Sequence, residues 1–266
     1  MRSSSNPAFR NLPAGQGGNA TLDRGSGMAG GTAAYADRAQ VGLGRADAGQ
    51  RPITVDDVVT KTAITAVAAI VAGGLTIWSG LYALALPAFI VGFVVSLIII
   101  FKQSSNPALV MIYSVAEGIA LGGISGLVNQ AYPGIAFQAL IGTVGVFVGM
   151  LVVYKTGAVK VTPRFTKWLM GALIGVVVLM LANLVAGFFI PGGMGLRDGG
   201  PLAIIFSLVV IGVAAFSLLM DFDMADQAVR SGAPAKFAWY IAFGLMTTLV
   251  WLYIEILRLL TYLRQD

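Results

Sequence analysis

Two glutamates are the first candidates for chemistry in this chain. Glu117 and Glu255 are its only glutamates, and each lies inside a strongly apolar run. A charged side chain at the centre of a membrane helix costs roughly 2.5–3.5 kcal/mol on insertion scales, so it normally faces the protein interior or a wet cavity, with a partner. Glu255 is therefore a candidate for a titratable gate. Glu117 either lines a cavity or is a structural acid bonded to a neighbouring helix.

Three aspartates, Asp221, Asp223 and Asp226, close the sixth apolar run, where the sequence predicts the end of a helix. Acids at a helix C-terminus oppose its dipole, so at least one of Asp221 and Asp223 is predicted to have a functional role. Asp226 fits an acidic helix end at headgroup level. If two carboxylates shared one cavity, one proton would be shared between them near neutral pH. Such a pair could sense pH, closed with a shared proton and repelling or binding a cation when both are ionised.

Arg258 follows Glu255 by three residues, on roughly the same helix face. It either forms a local ion pair that lets both residues lie in a helix, or it sets the charge of a gate. The sequence is consistent with both interpretations.

Composition limits the chemistry further. The chain is 57% hydrophobic and 11% charged, far below the roughly 25% charged residues of a soluble domain, which indicates a membrane protein. It has neither cysteine nor histidine, which excludes disulfides, Cys or His metal sites and nucleophiles that need a histidine base. The rhomboid-like run Gly123-Ile124-Ser125-Gly126 therefore predicts no protease. We expect no enzyme and no cofactor.

The elements that must position these acids are helices. Seven apolar runs of about 20 residues can each cross about 30 Å of hydrocarbon. They lie at about 58–78, 82–101, 107–129, 134–154, 167–190, 201–221 and 238–261. Thr54 to Asp57 fits a capping box, so the first helix should begin near Val55. Residues 1–54 are predicted to be a disordered tail, and residues 55–266 a seven-helix transmembrane domain.

Small residues and basic residues predict how the helices are arranged. Four-residue glycine spacing favours close helix contacts at Gly118/Gly122/Gly126, Gly145/Gly149 and Gly171/Gly175. Fourteen of the 17 basic residues lie in the tail or near connections on one side, and only Arg197, Arg258 and Arg264 fall toward the other. The positive-inside rule then predicts a cytoplasmic N-terminus. This distribution also argues against nucleic-acid binding.

Two motifs resemble the Bax inhibitor-1/YccA-like family, closest to its bacterial branch, over about residues 55–263. Glu117-Gly118-Ile119-Ala120-Leu121-Gly122 is similar to its E-G-x-x-L-G run. Leu252-Tyr253-Ile254-Glu255 is similar to its L-Y-L-D signature. Phe222-Asp223 is the nearer match to its Tyr-Asp motif, and Asp221 is the deeper alternative. Glu255 replaces an aspartate of the pattern, and Arg258 stands where a neutral polar residue is more usual.

The resemblance implies a seven-helix bundle with a central last helix and a pH-sensitive calcium leak across the plasma membrane. It also implies a gate formed by acids of the last two helices, here Glu255 with Asp221 or Asp223, which would also contact calcium. Glu117 and Arg258 would line or brace the cavity. A helix ending at Asp221 would leave it about 25 Å from Glu255, unless helix six lies deeper. The alternatives are a non-transporting regulator that binds membrane proteins such as a quality-control protease, and a proton-coupled cation exchanger.

Overall fold

The computed structural model describes residues 50–190 and 192–265. Within them seven long helices follow one another: α1 (Val55–Ser79), α2 (Ala85–Lys102), α3 (Pro107–Ala131), α4 (Ile135–Thr156), α5 (Pro163–Gly187), α6 (Pro201–Ser231) and α7 (Phe237–Tyr262). A short 3-10 turn, Tyr82–Leu84, leads into α2. All seven spans are long and apolar enough to cross a membrane, which confirms the predicted all-α fold. The predicted disordered tail lies almost wholly outside the described residues.

Capping residues fix where several helices begin. The Thr54 hydroxyl accepts a hydrogen bond from the Asp57 amide, and the Asp57 carboxylate accepts one from the Thr54 amide. This reciprocal arrangement is the predicted capping box, so the start of α1 at Val55 is confirmed. Proline in the first turn, where no amide donor is needed, begins α3, α5 and α6.

The predicted end of helix six was wrong. α6 continues ten residues beyond Asp221 to Ser231, where Gly232 ends it in the left-handed conformation. Two polar pairs four residues apart support the extra turns: Gln227 donates to Asp223, and Arg230 pairs with Asp226. The three aspartates therefore lie inside a helix rather than at its end, and the argument from the helix dipole does not apply to them.

The last helix is central, as predicted. α7 packs against α1, α3, α4 and α6, whereas α2 packs chiefly on α3 and α5 on α6. Residues on successive faces of α7 contribute to two of the hydrophobic cores. The connection before α7 is pinned to the start of α1, because Ile53 donates to the Ala233 carbonyl and the Lys61 ammonium donates to the Ala235 carbonyl at 2.7 Å.

The glycine prediction is confirmed for one helix pair only. A methyl group added at Gly118 or Gly122 would collide with the α1 backbone at Ala69 or Gly73, so these glycines let α1 and α3 approach closely. A methyl group at Gly126 would collide with the Tyr82 ring of the 3-10 turn, so this glycine packs against a turn and not against a helix. At the remaining four predicted glycines an added methyl group would meet nothing within 4 Å: Gly145, Gly149, Gly171 and Gly175. Their spacing reflects the general abundance of glycine in the helices.

Candidate functional site

Glu255 is buried deep in α7 and held by two arginines. It is 1% exposed. Its Oε1 accepts hydrogen bonds from Arg197 Nη2 at 3.1 Å and from Arg258 Nη1 at 2.6 Å. Its Oε2 is buried without a hydrogen-bond partner among the described residues, as is Arg197 Nη1. We call these three side chains the arginine clamp.

Arg197 reaches the clamp from the connection between α5 and α6. Its guanidinium lies 5.9 Å from the centre of the Phe206 ring, and its carbonyl accepts a hydrogen bond from the Tyr262 hydroxyl. The α5–α6 connection is thereby fastened to the end of α7. Sequence reasoning treated Arg197 only as a topology signal. One signal could have found it: Arg197 is one of only three basic residues predicted on the side of the membrane opposite the N-terminus.

The clamp joins one carboxylate to two guanidinium groups, all three partly or fully out of solvent. A buried ion pair is stable only when charge and hydrogen bonds are compensated, and removing one partner costs several kcal/mol. With Glu255 ionised the group carries one net positive charge, and with Glu255 protonated it carries two. Protonation of this carboxylate therefore weakens the attraction that holds Arg197.

The structure distinguishes between the helix-six aspartates. Asp221 faces α7, where its Oδ2 accepts a hydrogen bond from the Thr248 hydroxyl at 2.7 Å. Asp223, two residues on, faces another way: its carboxylate accepts hydrogen bonds from Gln227 and from the Tyr154 hydroxyl of α4. Residues two apart on a helix lie about 200° apart around its axis, so they cannot both face α7. Asp221 is the aspartate that meets the last helix.

Asp221 and Glu255 do not form a pair in this conformation. Thr248, which binds Asp221, precedes Glu255 by two helical turns, about 10.5 Å along the axis. The expected separation of about 25 Å rested on a helix ending at Asp221, and the longer α6 corrects it. The predicted calcium contacts are not assembled either: within residues 50–190 and 192–265, no three acidic side chains gather in a way that could hold a metal ion.

Glu117 lines a crevice between α2, α3 and α7 with a volume of about 400 Å³, and it is 7% exposed. The crevice wall also includes Gly244, Thr247 and Thr248 of α7. The Thr248 hydroxyl donates a hydrogen bond to Asp221. Glu117 lies ten residues from the start of α3 and Asp221 ten residues from the end of α6, about 15 Å along each helix. Both acids lie near Thr248 of α7, which precedes Glu255 of the arginine clamp by about two turns.

A second, larger cavity of about 970 Å³ is an apolar groove lined by residues of α1, α3, α4, α6 and α7. On its floor the Ser125 hydroxyl lies 2.7 Å from the Tyr253 hydroxyl. Ser125 thus takes part in a contact between α3 and α7, and the G-x-S-G match marks a helix contact.

A family model described as Bax inhibitor 1 like matches residues 6–265. The chain belongs to the Bax inhibitor 1 like family. The match also begins earlier than the resemblance at residues 55–263, so most of the N-terminal segment falls within it. No curated protein matches the chain.

Proposed function

We propose that this Bax inhibitor 1 like protein is a pH-sensitive leak channel for cations, with calcium as the transported ion, in the plasma membrane. The observation that carries the proposal is the arginine clamp: a carboxylate 1% exposed, inside a predicted membrane span, bound by two arginines from different parts of the chain. An intramembrane ionisable group of this kind marks an ion or proton pathway by default. The proposal includes no enzymatic step and no bound cofactor.

In this mechanism, ionised Glu255 holds Arg197 and keeps the α5–α6 connection against the end of α7. Protonation removes the charge that attracts the guanidinium, so the connection separates and the pathway opens. Charges facing Glu255 come from Arg197 and Arg258, and the nearby Tyr262 hydroxyl binds the Arg197 carbonyl. Acidification therefore raises the leak. A proton-sharing pair of Glu255 with Asp221 would require α6 to slide along α7 by about two turns.

Glu117 and Asp221 supply negative charge within their helices, each ten residues from one end. Because both acids lie near Thr248, a cation crossing beside this part of α7 would pass both side chains. The hydroxyl of Thr248 on α7 donates a hydrogen bond to Asp221 on α6, so it joins the two helices beside these acids. In the proposed channel these acids lower the barrier for a cation, whereas the arginine clamp controls access from one end.

The test uses purified protein in liposomes that contain a calcium-sensitive dye. Wild-type protein should leak calcium faster at acidic than at neutral pH. Glu255→Gln, which resembles the protonated acid, should leak at a high rate that no longer depends on pH, and Arg197→Gln should behave similarly. Asp226→Asn is the matched control, because Asp226 pairs with Arg230 away from the clamp, and it should keep the wild-type profile.

Other outcomes would identify the alternatives. Calcium flux absent at every pH, from protein that elutes as a single species, would contradict a channel and leave a regulator that binds other membrane proteins. Flux that requires an opposing proton gradient would indicate an exchanger. A Glu255→Gln variant with the wild-type pH profile would remove Glu255 from the gate.

A further inference from the structure

Glu117 is a buried acid that has no hydrogen-bond or ion-pair partner in the described part of the chain. More than nine-tenths of the residue is buried, and its carboxylate accepts no hydrogen bond from residues 50–190 or 192–265. An uncompensated carboxylate in an apolar setting is costly. Glu255, the second acid that is buried among the described residues, is compensated by two arginines. No arginine or lysine of residues 50–190 or 192–265 pairs with Glu117, so its charge is left to be compensated by a proton or by a positively charged ligand in the crevice.

The crevice is shaped around this carboxylate. Gly92 of α2 lies opposite, and a methyl group added there would lie 2.9 Å from Glu117 Oε1. Gly92 thus leaves room for the acid to point into the crevice. The Tyr113 hydroxyl, one turn earlier on α3, lies 3.1 Å from the Thr247 hydroxyl, and Thr247 donates its own proton to the Phe243 carbonyl. The Tyr113 hydroxyl is therefore engaged with α7, and it forms no hydrogen bond with Glu117 among the described residues.

The walls favour an organic cation over a metal ion. Five aromatic side chains line the crevice: Phe89, Phe93, Tyr113, Phe243 and Trp251. Aromatic faces attract ammonium-type cations, and a mostly apolar pocket of this volume with one or two charged groups is typical of a small-molecule site. Calcium, by contrast, takes six to eight oxygen ligands, and the crevice presents one carboxylate and a few hydroxyls.

The mouth of the crevice faces outward from the bundle. Phe89 and Phe93 lie one turn apart on α2 and stack at 6.4 Å, and each is about half exposed. In a membrane-spanning bundle, that surface contacts the acyl chains of the bilayer. A ligand would reach Glu117 from the lipid phase, so it needs an apolar body as well as a positive charge.

We propose that the crevice between α2, α3 and α7 binds an amphiphilic organic cation from the bilayer, with Glu117 as its counter-charge and the aromatic side chains as its walls. This site is separate from the arginine clamp and does not depend on calcium flux. Its ligand class is set by one buried negative charge, an aromatic surface and a lateral entrance.

The test measures binding of tetraphenylphosphonium to the full chain in lipid nanodiscs, with a selective electrode and with empty nanodiscs of the same lipid as the blank. Wild-type protein should bind the probe saturably beyond the blank. Glu117→Gln should weaken binding at least tenfold, and Gly92→Ala should also weaken it by displacing the carboxylate. Phe93→Leu should cause a smaller loss. Asp226→Asn, an equal loss of charge elsewhere, should bind as the wild type does.

Two results would overturn the proposal: wild-type protein that binds no more probe than empty nanodiscs, or Glu117→Gln that binds as tightly as the wild type. If Glu117→Gln fails to fold, the comparison of Gly92→Ala with Asp226→Asn decides, because Gly92→Ala keeps every charge. The two proposals can fail separately. If the protein leaks no calcium in liposomes but binds the probe in a way that depends on Glu117, the channel is rejected and the cation site stands.

Discussion

Glu255→Gln should lower the free energy of unfolding more than Arg197→Gln does, because only the first leaves two like charges facing each other in the arginine clamp. Glu255→Gln leaves two guanidinium groups together. Their nitrogens both contact Oε1, at 3.1 and 2.6 Å, so they are at most about 6 Å apart. Two positive charges at about 6 Å repel by about 3 kcal/mol at an effective dielectric constant near 20. Arg197→Gln instead leaves a one-to-one pair with Arg258.

The double variant Glu255→Gln/Arg197→Gln isolates this repulsion. It lacks both the acid and one of the two arginines, so the repulsion between the guanidinium groups is absent. Its free energy of unfolding should therefore exceed that of Glu255→Gln by most of the roughly 3 kcal/mol of repulsion. For a chain of this size that corresponds to a melting temperature about 6–12 °C higher than that of the single variant. The assay is thermal unfolding in detergent followed by tryptophan fluorescence, with all variants at one pH and salt concentration.

The reasoning fails if the double variant melts at or below the temperature of Glu255→Gln. That result would mean that the two arginines do not repel across the vacated site, and that the clamp contributes through hydrogen bonds or packing instead. Raising the salt concentration gives a further check, since screening of a partly exposed pair should narrow the gap between the two variants.

Further predictions concern packing, the α6–α7 contact and topology. Gly122→Ala should lower the melting temperature, because the added methyl group would lie 2.5 Å from an α1 carbonyl, whereas Gly145→Ala meets nothing and should not. Thr248→Val removes the hydroxyl that binds the α6 aspartate and should cost about 1–3 kcal/mol in the same assay, and Thr248→Ser should restore it. The chain has no cysteine, so single cysteines report topology: Gln265→Cys should react with an impermeant thiol reagent in intact cells and Lys236→Cys only after permeabilisation. The opposite labelling would reverse the predicted orientation.

Local patterns were sufficient for most element boundaries. Apolar runs near 20 residues and the capping box at Thr54 depend on neighbouring residues alone, and the structure confirms them. The end of α6 was missed because hydropathy falls at Asp221 while the helix continues. Its last ten residues mix polar and apolar side chains: pairs four residues apart stabilise the polar face, and Phe222 and Ala228 are buried in the core.

Sequence identified the acids but not their partners. Burial of Glu117 and Glu255 follows from the cost of charge in an apolar run, which is a one-dimensional property, and both are buried. The proton-sharing pair required two helices to place their acids at the same depth, and that depends on where each helix begins relative to the other. The structure sets Asp221 against Thr248, two turns from Glu255.

The sequence by itself determined that this is a seven-span helical membrane protein with two acids in its apolar interior, because hydropathy and helix length act along the chain. Only the tertiary structure decided that Arg197, 58 residues away, compensates Glu255, and that Glu117 lines an aromatic crevice with no hydrogen-bond partner among the described residues. Contacts of this kind depend on how a connection folds back and how far one helix is displaced along another. No pattern of neighbouring residues determines the path of that connection or the displacement between the helices.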